Sequence, residues 1–495
     1  MQLFQELAGL LDIKVLALLL GSTLLGVIIG ALPGLTATMG VALLTGLTYR
    51  VPVVYTFTIL MGVYVGGIYG GSISAILLNI PGTASAAATA LEGYPLMKMG
   101  KAETAIRLTR AASVLGTFLG IVALALVAPP LTKIALLFAS PEYFMLAIFG
   151  VLICGSVVNM DISIKGWIGG VLGLLCAMIG MDTLQGAPRF TLGLRDMMGG
   201  IALVPAMIGF YAVPEVIKAF STNDSVSVSE VKDTAPASND SVYHLFKKHI
   251  RVILQSSVIG IGIGALPGVG EDVAAWVSYD MAKKTSKHPE RFTKGSYEGV
   301  IAPEVGNNAA IGGALIPMLT LAVPGSPVAA VLLGALMIHN IRPGPMIMQD
   351  NPTFISYISA LLFLSVVSLY VAGVIIAKPM TKILKVPKVY LMPIVTVLSI
   401  IGSYAINNNS FDITVAIVFG VFGYLLDKMK YSPAPIVLGL ILGNMIDQNF
   451  RRALLVSRGS YSIFVTRPVS LLFFVIILFV VAYTLWPKKR NHLDS

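Results

Sequence analysis

An apolar run that begins near Val15 and continues past Val41 is interrupted by Gly30-Ala31-Leu32-Pro33-Gly34, and the same five residues return at positions 264–268. No other feature constrains the fold as much. A helix needs about 20 apolar residues to cross a hydrocarbon core roughly 30 Å thick. Proline and glycine in its interior cost about 3 and 1 kcal/mol. Lipid offers no water to the freed backbone groups, so a break at membrane depth has to be buried in protein or line a wet cavity.

Apolar stretches of this kind recur along the chain, among them 109–127, 166–179, 354–377 and 469–483. Hydrophobic residues make up 56% of the sequence and charged residues 12%, against about 25% charged in an ordinary soluble domain. This predicts an all-α polytopic membrane protein of about 10–12 transmembrane segments. The net charge of +10 does not point to nucleic acid. The bases sit in short loops between apolar runs, where the positive-inside bias puts them, so the partner of the surface is the lipid bilayer. Cys154 and Cys176 both lie in apolar runs and support neither a disulfide framework nor a metal knuckle. The five histidines show no metal or triad spacing, and no cofactor is expected. The N-terminus has no basic region followed by a cleavage site, so no signal peptide is expected.

Between Lys218 and Lys248 the composition turns polar, which reads as a solvated linker. It divides the chain into a first membrane repeat at 1–217, the linker at 218–248, a second repeat with an extra C-terminal span at 249–487, and a basic tail at 488–495. GALPG recurs at an offset of 234, and GGSISAILLNIPGTAS at 70–85 answers GALIPMLTLAVPGSPV at 313–328 at an offset of 243. In the first half Arg50 alone lies between the motifs, while Lys98, Lys101, Arg107 and Arg110 follow them. The second half reverses this, with Lys283, Lys284, Lys287, Arg291 and Lys294 between the motifs and Arg342 after them. Equivalent loops on opposite sides of the membrane are the signature of an inverted-topology repeat with discontinuous helices. The same rule places the linker, positions 378–388, Lys428, Lys430 and the Lys488-Lys489-Arg490 tail in the cytoplasm; Arg451, Arg452, Arg458 and Arg467 compete with the tail for that side.

A helix restarting after Gly34, Gly82, Gly268 or Gly325 offers unpaired N–H groups and the positive end of its dipole to a carboxylate, while unwound carbonyls can hold a cation. Candidate substrate-binding residues are therefore Gly30, Pro33, Gly34 and Thr36 at the first break and Asn79, Pro81, Gly82, Thr83 and Ser85 at the second. In the other half they are Pro267, Gly268, Asn307, Asn308, Pro324, Gly325 and Ser326. Small hydroxyl residues also serve helix packing, which is the role expected of Ser72 and Ser74. Three acids, Glu271, Asp272 and Glu304, are candidates for coupling Na⁺ or H⁺, because ionisable groups at membrane depth usually mark ion pathways. For Glu304, beside Pro303 and Gly306, a helix-capping role stands as the alternative.

The run at 64–106, GALPG before it, APEVGNNAAIGGALIPMLTLAVPGSP at 302–327 and SPAPIVLGLILGNMIDQNFRRALLVSRG at 432–459 together resemble the large membrane subunit of the bacterial tripartite tricarboxylate transporters. The resemblance covers nearly the whole chain. It implies a multi-pass protein of the bacterial inner membrane that works with a small membrane subunit of about four spans and a periplasmic solute-binding protein. It also implies import of a tricarboxylate or related carboxylate, driven by an ion gradient. The family's two signature regions fall on 30–34 with 79–85, and on 264–268 with Asn307, Asn308 and 324–326; Glu271-Asp272 departs from the small residues expected there. The expected mechanism is alternating access, with an elevator motion suggested by analogy with other inverted-repeat carriers. A stand-alone ion-coupled carboxylate carrier is the alternative. An ATP-driven permease finds no Walker A, since Pro95 and Ala102 replace the required residues around Gly100-Lys101. An intramembrane hydrolase would need Glu304 as a second carboxylate opposite Asp272.

Overall fold

The computed structural model describes residues 2–158, 163–182, 184–221, 241–377, 379–384, 386 and 388–485. The expectations for most of the linker (222–240) and for the basic tail lie outside these residues. Helix makes up 79% of the structure, and the strands among the described residues are one antiparallel pair, Gly180–Met181 with Pro188–Arg189.

Ten helices carry the argument. In the first half they are α1 (Ile13–Ala31), α2 (Ala37–Leu47), α3 (Val53–Leu78), α4 (Ala86–Lys98) and α5 (Ala102–Ala135). In the second half they are α6 (Ile250–Gly264), α7 (Gly270–Thr285), α8 (Tyr297–Leu321), α9 (Pro327–Ile338) and α10 (Phe354–Ala377). The four Pro-Gly pairs at 33–34, 81–82, 267–268 and 324–325 fall in the gaps α1–α2, α3–α4, α6–α7 and α8–α9. Among the described residues eight helices are long and apolar enough to cross a membrane, and five shorter apolar ones accompany them, including α2, α6 and α9. The breaks account for these three: the 11 residues of α2 rise about 17 Å, half a hydrocarbon core.

The same local geometry occurs at corresponding positions of the two halves. A Cβ on Gly82 would lie 1.9 Å from the carbonyl oxygen of Gly30, and one on Gly325 would lie 2.0 Å from that of Gly264. The Gly82 N–H donates to the Gly71 carbonyl and the Gly325 N–H to the Ala314 carbonyl, each at 3.3 Å. Helix α3 ends on Asn79 at φ 57° and α8 on Ala322 at φ 56°, both left-handed. Asparagine tolerates that region; alanine carries a steric cost there, offset by the surrounding packing.

Helices α3 and α8 are the buried axis. Nearly every residue from Thr56 to Leu77 and from Gly299 to Thr320 is shielded. Helix α8, although 25 residues long, is absent from the eight apolar spans because Glu304, Asn307 and Asn308 lower its hydropathy; burial in protein replaces contact with lipid.

The chain divides into two compact units. The first, residues 1–136 and 202–429, contains α1–α10. The second, 137–201 and 430–495, contains helices Ser140–Val158, Ser163–Ala177, Pro433–Val456 and Pro468–Leu485. In the second unit Arg451 pairs with Asp182 at 2.7 Å, Arg189 with Asp447 at 3.0 Å and Arg467 with Glu142 at 2.5 Å. Two of the four arginines that compete with the tail thus hold internal ion pairs.

Candidate functional site

The breaks meet in pairs. Gly82 rests on Gly30 in the first half, and in the second the Gly268 N–H donates to the Pro324 carbonyl at 3.0 Å. Gly34 and Gly268 take φ of 90° and 68°, which only glycine adopts without strain. The break residues differ in access: Asn79 and Pro81 are exposed, whereas Pro33, Gly82, Thr83, Ser85, Pro267, Gly268, Pro324, Gly325 and Ser326 are buried.

Two restarting helices carry hydroxyl caps. Thr36 accepts from the Met39 N–H at 3.2 Å, and Ser326 accepts from the Ala329 N–H at 3.1 Å. Thr83 and Ser85 share a hydrogen bond of 3.0 Å ahead of α4. Helix α7 starts differently, since Glu271 and Asp272 occupy its first turn. Negative side chains there complement the positive end of the helix dipole, which gives the departure from small residues a physical reason. Tyr64 of α3 donates to Glu271, and Asp272 meets the backbone N–H and hydroxyl of Ser85.

Glu304 is fully buried in the second turn of α8, whose N-cap is Ser296. An interior position excludes the capping role. Its carboxylate accepts from Ser72 of α3 and Thr89 of α4, each at 2.5 Å, and from Ser113 of α5 at 2.9 Å. Ser72 therefore does more than pack, while Ser74 donates locally to the Gly71 carbonyl. One turn on, Asn308 donates to the Glu304 carbonyl at 2.9 Å and accepts from Thr117 at 3.3 Å. Its neighbour Asn307 is buried with an unpartnered Oδ1. Asp272 meets Ser85 while Glu304 is held by Ser72, Thr89 and Ser113, so among the described residues the two share no partner and do not form the opposed pair that acid–base hydrolysis requires.

Sequence reading missed Glu92. Buried in the middle of α4, it accepts from Tyr279 of α7 at 2.8 Å and from the N–H groups of Thr293, Gly295 and Ser296 at 2.5, 2.9 and 2.8 Å. Its position in TALEGYP, between two small residues and a proline, gives no hint that it closes the loop ahead of α8. Tyr64 was equally hidden among the glycines of α3.

Half-length helices meeting at paired breaks, around acids held by hydroxyls, define a multi-pass membrane protein of the transporter class. The model of the Tripartite tricarboxylate transporter TctA family matches residues 16–438, and the chain belongs to that family. It is a transporter family, so the chain is the large membrane subunit of a tripartite tricarboxylate transporter and not an enzyme. A protein of Agrobacterium vitis described as an uncharacterized 52.8 kDa protein in the TAR-I ttuC' 3' region is 36% identical over 478 residues, 95% of this chain and 93% of the relative. Another from the same organism, described as an uncharacterized protein in the TAR-II ttuC' 3' region, is 37% identical over 233 residues, 47% of this chain and 96% of the relative.

Proposed function

We propose that this subunit imports a tricarboxylate or related carboxylate by alternating access, driven by a Na⁺ or H⁺ gradient, with the ion taken up at Glu304. It works in the bacterial inner membrane with a small four-span subunit and a periplasmic binding protein. Its two halves are inverted copies, a reading supported by the reversed loop charges and by the recurring break geometry at Gly82–Gly30 and Gly325–Gly264.

The hydroxyl cage of Glu304 carries the proposal. A buried carboxylate with no basic partner is costly unless hydrogen-bonded, and here three hydroxyls from three helices supply the bonds. Each hydroxyl carries lone pairs as well as a proton, so by rotating it can turn an oxygen toward a bound Na⁺. If a proton binds instead, one of these hydroxyls accepts from the neutral acid and the others go on donating to it. Loading either ion cancels the charge of Glu304 beside the breaks and removes its repulsion of an anionic substrate.

The test is uptake of labelled citrate, aconitate, malate and succinate into proteoliposomes under imposed Na⁺ or pH gradients, with and without the two partner proteins. The expected result is uptake only with all three components and one ion. Uptake by this chain alone would favour the independent carrier, and gradient-independent uptake would refute coupling.

A further inference from the structure

Arg110 lies in the third turn of α5, inside the helix and not among the loop bases with which its sequence position groups it. Among the described residues it pairs with no carboxylate; its guanidinium stacks 5.1 Å from the Tyr370 ring of α10, and its Nε is buried without a hydrogen-bond partner. Tyr69 of α3 is completely buried, and its hydroxyl is likewise unpartnered. The two side chains meet over Gly373 of α10, where a Cβ would lie 2.6 Å from Arg110 Cδ and 3.2 Å from Tyr69 Cε1. A residue with a side chain at 373 would displace both.

Two buried donors without an acceptor, one of them the Nε of a half-buried arginine, are expensive. The acceptor they lack is an anion. We propose that Arg110 and Tyr69 bind one carboxylate group of the transported substrate, a reading that rests on the transport function proposed above. The position explains coupling. Tyr69 precedes Ser72 by three residues on α3, Arg110 precedes Ser113 by three on α5, and Ser72 and Ser113 both hold Glu304. Residues three apart are neighbours on a helix face, so the anion site stands one turn from the ion site on both helices. An empty, charged Glu304 repels the carboxylate, and a loaded one does not. Tyr370 stacks on the guanidinium and leaves its donor edge free, an arrangement suited to planar carboxylate recognition.

The experiment measures initial uptake by the reconstituted three-component system for wild type, Arg110→Gln, Arg110→Lys, Tyr69→Phe and the control Arg107→Gln, whose side chain is 45% exposed and pairs with Glu103. Uptake is normalised to monodisperse, folded protein. Arg110→Gln is expected to raise KM about 100-fold and Tyr69→Phe about tenfold, each with a smaller change in kcat, with Arg110→Lys recovering part of the loss. Arg107→Gln keeps the wild-type KM. Unchanged KM in both site variants, beside active wild type, overturns the anion site and leaves the transport reading standing. Absence of wild-type uptake for all four carboxylates removes the transport reading and this one with it. Repeating the series in vesicles of phosphatidylcholine alone and with phosphatidylglycerol separates the sources of the anion: a defect seen only with the anionic lipid would assign the site to a headgroup and overturn the proposal.

Discussion

The two units treat buried acids in opposite ways. In the second, Glu142, Asp182 and Asp447 each lie against an arginine, with Ser470 and backbone N–H groups completing the bonds. In the first, Glu92, Glu271 and Glu304 are held by hydroxyls and backbone N–H groups, without an arginine or lysine partner among the described residues. A carboxylate opposite a fixed guanidinium keeps its charge and serves structure. One surrounded by neutral donors can exchange its charge for a proton or a small cation. The location of the arginines therefore separates acids fixed by a counter-charge from acids held by neutral donors, among which Glu92 fastens a loop and Glu304 meets hydroxyls alone.

The largest expected effect tests that division directly. Glu304→Gln keeps the shape of the cage and removes its charge, and ion-driven uptake is expected to fall about 100-fold in proteoliposomes while insertion and melting temperature stay near wild type. A Glu304→Gln protein that still responds to the ion gradient would make Glu304 structural and erase the contrast. Next come the joints between breaks: Gly325→Val forces side-chain atoms onto the Gly264 carbonyl, and loss of about 3 kcal/mol or more is expected as a lower yield of monodisperse protein. In the second unit, Arg467→Met leaves Glu142 buried without its cation. Because Arg467 is itself 43% exposed, the expected cost is about 1–3 kcal/mol in thermal unfolding, with uptake per folded molecule unchanged.

The smallest effect is a pH dependence. The Leu184 N–H and the Arg451 guanidinium hold the Asp182 carboxyl at about 2, below the ordinary aspartate value. A depressed folded value contributes stability above the unfolded pKa and loses it as pH falls through the folded one. Asp182→Asn is therefore expected to melt below wild type at pH 6, with the gap narrowing below pH 4 and closing only as pH falls through about 2. A constant gap would show that hydrogen-bond geometry, and not charge, is what Asp182 provides.

Much of this was legible in the letters. The four repeated Pro-Gly pairs each separate two helices, because a missing donor and a ring clash next to a glycine act locally. The corresponding half-helices follow from spacing alone, and Glu304 drew notice because an acid among apolar residues is rare. What stayed hidden depends on contacts between distant segments. Ser72, Thr89 and Ser113 are unremarkable one by one and become a cage only when α3, α4 and α5 close on α8. Arg110 looks like a loop base because charge is counted along the chain, and its place inside α5 emerges only with the helix boundary. Glu92 has no sequence signal, since its partners are mostly backbone groups of a loop some two hundred positions away.

The glycine contacts have a mechanical meaning. Where the Gly82 Cα lies against the Gly30 carbonyl, and Gly325 against Gly264, no rotamer stands between the two backbones to absorb a displacement. Such a seat has no slack. A displacement of either break toward the facing backbone meets the Gly30 or Gly264 carbonyl directly.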